Sequence, residues 1–258
     1  MSQNVVFENV TKTYASRRGA PANTVISNFS HEVAENEFLC LLGPSGCGKS
    51  TVLNMVAGFG KPTAGRVLVG GKPVGGPGPD RGVVFQQYAL FPWYNVYRNV
   101  ELGPEAKGVS SAEKREIVEH MLRAVGLWEH RHKYPKELSG GMKQRAAIAR
   151  TLAAKPQVIL MDEPFAALDA MSREHLQQEL LSIWDGLRCT VIFVTHSVQE
   201  AVLLADRVTI FGVDGGSAVK SLASPLSRPR DRLSDEVIAF EREVHAYLRK
   251  AEAGRAPV

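Results

Sequence analysis

Short apolar runs, separated by polar and glycine-rich stretches, recur along this chain. Six of them have the length and the Val/Ile content of β-strands, and several contain no polar residue at all. A continuous apolar run is expected where a strand is buried on both faces of a sheet. The predicted strands are Val5–Val10, Phe38–Leu42, Val83–Phe85, Val158–Asp162, Val191–Thr195 and Val208–Phe211.

A helical pattern lies between two of these strands. Five apolar residues recur at i, i+4, i+7, i+8 and i+11, which places them on one face of a helix. They are Leu176, Leu180, Ile183, Trp184 and Leu187. A strand, a helix and a further strand in succession are typical of a βαβ unit, so the pattern predicts an α/β fold with a mainly parallel sheet.

The segment from about residue 88 to 153 departs from this alternation. It contains several prolines and two helical patches, Ala112–Val125 and Gly140–Ala153. We interpret it as a helical subdomain inserted into a single domain that covers residues 1–258. The glycine- and proline-rich stretch Gly70–Pro79 is interpreted as a surface loop.

The tail from about residue 217 ends in a predicted helix. Ser234 is the expected N-cap, and Asp235 and Glu236 suit the positive end of the helix dipole. We expect the apolar stripe of this helix to pack on the domain, with partner binding as the alternative. The stripe consists of Val237, Phe240, Val244, Tyr247 and Leu248.

Composition narrows the class of protein. The chain has 258 residues, is 44% hydrophobic and carries 31 basic against 27 acidic residues. A sizeable core is therefore possible, and no Lys/Arg run predicts a nucleic-acid partner. No run approaches about 18 apolar residues, and Met1–Val10 lacks the pattern of a signal peptide. Cys40, Cys47 and Cys189 are odd in number and widely spaced, which favours free thiols in a reducing cytosol.

A glycine-rich loop follows the predicted strand Phe38–Leu42 and precedes the helical stretch Thr51–Ala57. In this context backbone N–H groups and the helix N-terminus bind phosphate. Lys49 can reach the β- and γ-phosphates of a nucleotide, and Ser50 can ligate Mg²⁺. An ordinary glycine-rich turn is the alternative. The loop reads Gly43, Pro44, Ser45, Gly46, Cys47, Gly48, Lys49 and Ser50.

Two adjacent carboxylates end the predicted strand Val158–Asp162. Because the chain already turns there, both side chains can serve one site. Asp162 is suited to the Mg²⁺ shell, and Glu163 to polarising a water for attack on the γ-phosphate. Downstream of a phosphate loop, such a pair indicates a nucleotide hydrolase.

A second glycine-rich helix start carries a family resemblance. Leu138-Ser139-Gly140-Gly141, followed by Met142-Lys143-Gln144-Arg145, resembles the signature motif of ABC transporter ATP-binding subunits. The resemblance covers nearly the whole chain. It implies a P-loop NTPase core with a mainly parallel sheet, an antiparallel β part near the N-terminus and a helical insertion. It also implies an ATPase in which the signature residues approach ATP held by a second copy of the chain, with a simple capped helix N-terminus as the alternative. These residues are Leu138, Ser139, Gly140, Gly141 and Gln144.

Further family positions occur in order. Tyr14 resembles the aromatic residue that stacks on adenine, with a core or surface tyrosine as the alternative. Gln86 resembles the glutamine that senses Mg²⁺ and the attacking water, and His196 resembles the switch histidine. Ala167-Leu168-Asp169 resembles the inter-subunit loop. The resemblance thus implies a set of catalytic residues, an ATP-binding set and an Mg²⁺-binding set. The catalytic set is Glu163, His196, Gln86 and Lys49. The ATP-binding set is Tyr14 together with residues 43–51, which end at Thr51. The Mg²⁺-binding set is Ser50, Gln86 and Asp162.

Two positions depart from the family pattern. Ala166 stands where many relatives have glycine, and Asn36 replaces a common glycine before the strand at Phe38. Asparagine tolerates the left-handed backbone conformation better than most residues do. We therefore expect a left-handed turn at Asn36, and neither change argues against ATP hydrolysis.

The stretches Gly78–Gln86, Leu90–Trp93 and Leu138–Arg145 resemble the branch that serves nitrate, sulfonate, taurine and related importers. The resemblance implies a subunit on the cytoplasmic face of the membrane, bound to transmembrane permease subunits and served by an external solute-binding protein. The alternatives are an exporter subunit and a non-transport ABC ATPase that acts on nucleic acid or ribosomes. An apolar cluster either docks a permease helix or is buried in the insertion. It comprises Tyr88, Leu90, Phe91 and Trp93.

Overall fold

The computed structural model describes residues 4–15, 22–166, 168–187, 189–212 and 218–253. In chain order the strands are β1 (Val5–Tyr14), β2 (Asn23–Val33), β3 (Phe38–Leu42), β4 (Ala64–Val69), β5 (Lys72–Pro73), β6 (Arg81–Val84), β7 (Val158–Asp162), β8 (Thr190–Thr195), β9 (Arg207–Phe211) and β10 (Ala218–Ala223). The α-helices are α1 (Lys49–Ala57), α2 (Val96–Ala106), α3 (Ser111–Ala124), α4 (Gly140–Ala153), α5 (Ala170–Leu187), α6 (Val198–Leu204) and α7 (Asp235–Ala253).

The chain forms two compact units. The first unit comprises Met1–Gly78 together with Thr190–Val258, and the second comprises Pro79–Cys189. The second unit is contiguous in the sequence and contains all of the predicted helical insertion. Each unit contains one of the two glycine-rich helix starts that the sequence analysis found.

The first unit contains an antiparallel sheet and a mainly parallel one. The antiparallel sheet has the order β2-β1-β4-β5. In the other, β3 pairs in parallel with both β8 and β9, and β10 joins β9 antiparallel. Every residue of β3 and β8 is buried, as expected of strands covered on both faces. Helix α7 packs on α6, β9 and β10, so its apolar stripe is part of this core.

The second unit combines a parallel strand pair with helices. Strands β6 and β7 pair in parallel, and α4 packs on β6 and on the helices α2 and α3. Asn95 caps α2 by accepting from the Arg98 N–H at 2.8 Å, and Ser110 caps α3. Alanines on the buried face of α4 leave room for this close helix packing.

The α/β prediction, with mainly parallel pairing and an antiparallel part near the N-terminus, is confirmed. Strands β3 and β7 and helix α4 have the predicted bounds, and Ser234 caps α7 through the Val237 N–H at 3.3 Å. Asn36 has the expected left-handed backbone, with φ of 60°. The extents of the single domain and its helical subdomain stay predictions, and residue 217, where the tail was placed, lies outside the described residues.

Several elements were not predicted. The sequence analysis missed β2, β4, β10, α2 and α6. The stretch Gly70–Pro79 is not only a surface loop, because Lys72 and Pro73 form β5 and pair with β4. The stripe on α7 is also shorter at its end, since Tyr247 and Leu248 are half-buried and Ala251 is buried instead. These elements were missed because their apolar residues are few or lie next to polar ones.

Candidate active site

The glycine-rich loop in the first unit has a backbone that only glycine adopts readily. Gly48, the N-cap of α1, has φ of 101°, and a Cβ there would lie 2.6 Å from Ile26 Cδ1. A Cβ on Gly43 would lie 2.7 Å from the carbonyl oxygen of Phe211. No side chain caps the first turn of α1. The loop is therefore a narrow backbone turn that ends at a helix N-terminus of positive potential, the arrangement that binds phosphate.

Lys49 folds back into this loop. Its side chain is 5% exposed, and its Nζ donates to the carbonyl oxygens of Gly43 at 2.7 Å and Pro44 at 2.8 Å. The thiol of Cys47 lies 3.6 Å from the same nitrogen. The ammonium is thereby fixed at the loop before any anion arrives. The hydroxyl-bearing Ser50 follows at the exposed face of the helix start.

His196 stands at the carboxyl end of β8 with an exposed side chain. The backbone around it is held by a ring of hydrogen bonds. Thr195 Oγ1 donates to the buried carboxylate of Glu200 at 2.6 Å and accepts from the Ser197 N–H at 3.0 Å. Ser197 Oγ in turn accepts from the Glu200 N–H at 3.3 Å. The histidine is thus carried by a rigid strand-to-helix turn.

Tyr14 is the last residue of β1 and is 47% exposed. The ammonium of Lys12 lies 5.0 Å from the centre of the Tyr14 ring. The same ammonium donates a hydrogen bond to the carbonyl oxygen of Lys61 at 2.7 Å. A half-exposed ring with a neighbouring cation is suited to stacking on a flat, electron-rich ligand. The alternative of a core tyrosine is not supported, because nearly half of the side chain is exposed.

In the second unit, Asp162 and Glu163 are half-buried at the end of β7. Glu163 lies outside the strand and has φ of 44°, in the left-handed region that non-glycine residues rarely adopt. Such a conformation costs about 1–3 kcal/mol and is typical of functional sites. The turn expected at this strand end is therefore present. Gln86 follows β6 and is exposed.

The signature segment begins α4 in the same unit. Ser139 is exposed and caps the helix by accepting from the Met142 N–H at 3.3 Å. A Cβ on Gly140 would lie 2.9 Å from the hydroxyl of Tyr88, and one on Gly141 3.6 Å from Leu168 Cδ2. This helix start therefore has a side-chain cap, as the alternative of a simple capped helix N-terminus predicts, and it also contains two glycines.

Two signature residues do not lie at this surface. Leu138 is 6% exposed and Gln144 is 1% exposed. Both side-chain polar atoms of Gln144 are buried without a hydrogen-bond partner among the described residues. Leu138 lies just before α4 and Gln144 lies on the buried face of α4, so both side chains are buried, and their approach to a second copy's ATP stays a prediction. Ser139, Gly140 and Gly141 remain accessible or half-accessible.

Asp169 precedes α5 and accepts from the Ser172 N–H at 2.9 Å. This hydrogen bond from the backbone of Ser172 lowers the pKa of the Asp169 carboxyl. Leu168 is buried beside Gly141, so the loop adjoins the signature helix within one unit. Ala167 lies outside the described residues.

Each unit offers groups that suit part of a nucleotide or its cation. A buried ammonium and an uncapped helix start suit phosphate oxygens. A hydroxyl, a carboxylate and an amide oxygen are the hard ligands that Mg²⁺ prefers, and the chain offers them at Ser50, Asp162 and Gln86. All three cysteines are buried free thiols, as predicted.

A phosphate loop that opens a buried helix, together with a strand-end carboxylate pair, defines the class of P-loop nucleotide hydrolases. The chain belongs to the ABC transporter family, whose sequence model matches residues 26–166. It is an ATP-binding subunit of a transporter and an ATPase with the ABC cassette fold.

Curated relatives match over most of their length. The chain is 50% identical to an uncharacterized ABC transporter ATP-binding protein of Methanocaldococcus jannaschii, covering 95% of this chain and 91% of that protein. It is 49% identical to the bicarbonate transport ATP-binding protein CmpD of Synechocystis sp., covering 88% and 81%. It is 48% identical to the nitrate import ATP-binding protein NrtD of Synechococcus elongatus, covering 88% and 83%.

A solved structure shows the same fold. It is a dimeric post-hydrolysis state of an ATP-binding cassette bound to ADP and Pi, with a TM-score of 0.77 and 32% identity, covering 86% of this chain and 100% of that one. Among the residues that our structure describes, no helix combines the length and the apolar character needed to cross a membrane.

Sequence analysis missed residues that support the site. Glu200 was not noticed, although Ser197-Val198-Gln199-Glu200 before an apolar run is a capping-box pattern. Arg228 and Arg230 were not noticed either, and no local signal identifies them. Their partners lie on α6, far away in the sequence.

Proposed function

We propose that this chain powers uptake of a small solute of the nitrate, sulfonate or taurine kind through a membrane permease. The ATPase chemistry belongs to the family, and the direction and solute are our proposal. The support is the resemblance of Gly78–Gln86 and Leu90–Trp93 to that importer branch, together with relatives named for bicarbonate transport and nitrate import.

We assign the chemical steps to the following residues. Lys49 and the backbone of the loop bind the β- and γ-phosphates, while Tyr14 stacks on adenine. Ser50, Asp162 and Gln86 are the residues that would hold Mg²⁺, which would supply charge neutralisation at the phosphates. Glu163 accepts a proton from the attacking water, and His196 donates a hydrogen bond to the γ-phosphate. Because the transition state is loose, positioning and electrostatics supply most of the rate.

The observation that carries this assignment is the backbone of Glu163. A carboxylate held in a costly left-handed conformation at a strand end is over-determined by its surroundings. A merely structural turn would be served at lower cost by glycine or asparagine. We therefore assign Glu163 rather than Asp162 as the base.

A second copy of the chain is the proposed partner for turnover. Ser139, Gly140 and Gly141 would meet ATP held by the other subunit, and Asp169 would lie in the inter-subunit loop. Leu138 and Gln144 are buried and would support the signature helix from within. The solved cassettes named as dimers support this pairing.

An aromatic surface on the second unit is the proposed permease contact. Phe91 is 39% exposed and Trp93 is 65% exposed, and their rings lie 5.5 Å apart. Asn99 holds the segment through hydrogen bonds to both backbone groups of Phe91. Exposed aromatic rings on a fixed backbone are suited to an apolar helix. An external solute-binding protein and the cytoplasmic face of the membrane complete the proposal.

The decisive experiment replaces Glu163→Gln. We expect ATP binding to remain, turnover to fall at least about 100-fold and an ATP-bound dimer to accumulate, because the base is lost while the phosphate ligands stay. The readouts are phosphate release, nucleotide affinity and size-exclusion chromatography with ATP. Glu116→Gln, an exposed carboxylate on α3, is the matched control. Normal turnover in Glu163→Gln would refute the assignment.

Import is tested by reconstitution. The chain is co-expressed with the transmembrane permease of a nitrate, sulfonate or taurine importer, and ATP-dependent accumulation of the respective solute is measured in vesicles. Trp93→Ala is expected to reduce co-purification with the permease, whereas Tyr134→Ala, an exposed aromatic elsewhere on this unit, is not. Export of solute, or equal co-purification of both variants, contradicts the respective part of the proposal.

A further inference from the structure

The segment that follows β10 binds the C-terminal end of α6. Arg230 Nη1 donates to the carbonyl oxygens of Val202 at 2.6 Å and Ala205 at 2.8 Å. Arg228 Nη2 donates to the carbonyl oxygen of Leu204 at 2.5 Å. The last turn of a helix has carbonyls without intrahelical partners and carries negative potential. The two guanidinium groups therefore cap α6 from the tail.

The N-terminal end of α6 begins two residues after His196. Helix α6 has only 7 residues, of which 6 are buried, so it moves as one rigid piece. Its first turn is closed onto β8 through the ring formed by Thr195, Ser197 and Glu200. The turn that carries His196 is therefore linked to a helix whose far end is fixed by the tail.

Asp206 attaches the arginines to a second element. Its carboxylate accepts from Arg228 and, at 2.9 Å, from the Phe38 N–H. Its own N–H donates to the Phe38 carbonyl at 2.8 Å. Phe38 begins β3, the strand that leads into the phosphate loop. The anchor for the tail is thus the start of β3, the strand that Gly43 directly follows.

Arg230 is held as a cation inside this arrangement. Burial, followed by the neighbouring Arg228, lowers the pKa of Arg230 to about 10, which leaves it protonated at neutral pH. The fork of an arginine can contact several carbonyls at once, whereas a lysine presents a single ammonium. The geometry at α6 uses that fork, because Nη1 of Arg230 donates to the carbonyl oxygens of Val202 and Ala205 while Nη2 donates to that of Leu226 at 3.2 Å.

We propose that Arg228 and Arg230 are positioning residues for ATP hydrolysis, which fix α6 and so place the His196 imidazole. The inference rests on the proposed role of His196. A tail that only stabilises the fold would contact the same carbonyls. The two accounts differ in whether the arginines matter once the histidine side chain is gone.

The test is a double-mutant cycle in the full-length chain. kcat and KM for ATP are measured for Arg230→Met, His196→Ala and the double variant. We expect Arg230→Met to lower kcat about tenfold with KM changed less than about twofold, and to change kcat less than about twofold in the His196→Ala background. Arg230→Lys is expected to recover part of the rate, since it keeps the charge but not the fork.

Arg242→Met, an exposed arginine on α7, is the matched control and should leave kcat unchanged. The inference is overturned if Arg230→Met lowers kcat by the same factor in the wild-type and the His196→Ala backgrounds. It is also overturned if Arg230→Met lowers kcat no more than Arg242→Met does. In both cases His196 keeps its role. If His196→Ala itself hydrolyses ATP normally, both the inference and the role of His196 fail. Thermal unfolding checks each variant, and if Arg230→Met does not fold, Arg228→Lys and Arg230→Lys replace it in the same cycle.

Discussion

The ammonium of Lys49 donates a hydrogen bond to the carbonyl oxygen of Gly43 at 2.7 Å. The lysine therefore does not extend into solvent but is folded into the loop that it follows. Its charge is placed where a phosphate would enter, and little side-chain freedom remains to be lost on binding. This preorganisation is the physical basis of the first prediction.

Replacing Lys49→Ala should abolish most ATP turnover. The variant removes the only charge that the described part of the loop holds against the phosphates, so we expect at least about a 100-fold loss of kcat/KM. Phosphate release and nucleotide titration are the measurements. Lys61→Ala, an exposed lysine outside the loop, is the control. Equal rates for the two variants would contradict the assignment of the loop.

Gly48→Ala should destabilise the loop, whereas Gly60→Ala should not. A Cβ at Gly48 would meet Ile26 at 2.6 Å in a backbone with φ of 101°, while a Cβ at Gly60 meets nothing within 4 Å. We expect Gly48→Ala to cost about 1–3 kcal/mol in free energy of unfolding and Gly60→Ala less than about 0.5 kcal/mol. Urea unfolding compares them, and the opposite ranking would refute the loop geometry.

Asn99→Ala should cost more stability than Asn95→Ala, although Asn99 lies in α2 and Asn95 is its N-cap. Asn99 is fully buried and hydrogen-bonds backbone groups of Phe91, Tyr94 and Asn95. Asn95 supplies one capping bond. We expect about 2–4 kcal/mol for the first and about 1 kcal/mol for the second. Thermal and urea unfolding give the two values, and similar costs would count against the role of Asn99.

Folding stability should decrease in mild acid because of His31. Burial, followed by the charge of Arg207, lowers the pKa of His31 from 6.5 to about 4. The unfolded chain therefore takes up the proton first as the pH falls. The contribution is complete above about pH 6.5 and is lost progressively down to about pH 4, on the order of 2 kcal/mol in total.

Urea unfolding between pH 7 and pH 4 measures this slope. His31→Gln should reduce the pH dependence in that window, while His120→Gln, which changes an exposed histidine on α3, should keep it. An unchanged slope in His31→Gln would assign the acid sensitivity to other groups. Nucleotide is left out of the buffer, so that ligand binding does not contribute.

Much of this fold could be predicted because its central strands are continuous apolar runs. Strands β3 and β7 match the predicted bounds, since burial on both faces leaves no polar residue inside them. Strands β2 and β4 were missed because they are only partly buried and alternate irregularly. Helix α6 was missed because it has only 7 residues, of which 6 are buried, and so short a segment has no helical period to detect.

By itself, the sequence determined the two glycine-rich helix starts and the carboxylate pair, because each is a contiguous motif whose local backbone follows from its own residues. Only the tertiary structure decided which of these side chains are accessible. Gln144 belongs to the signature segment in sequence, yet the packing of α4 buries it. Arg230 binds a carbonyl 28 residues away, a contact that only the fold creates. Local motifs are fixed by short-range sterics and hydrogen bonding, whereas burial and long-range contacts depend on how distant segments pack together.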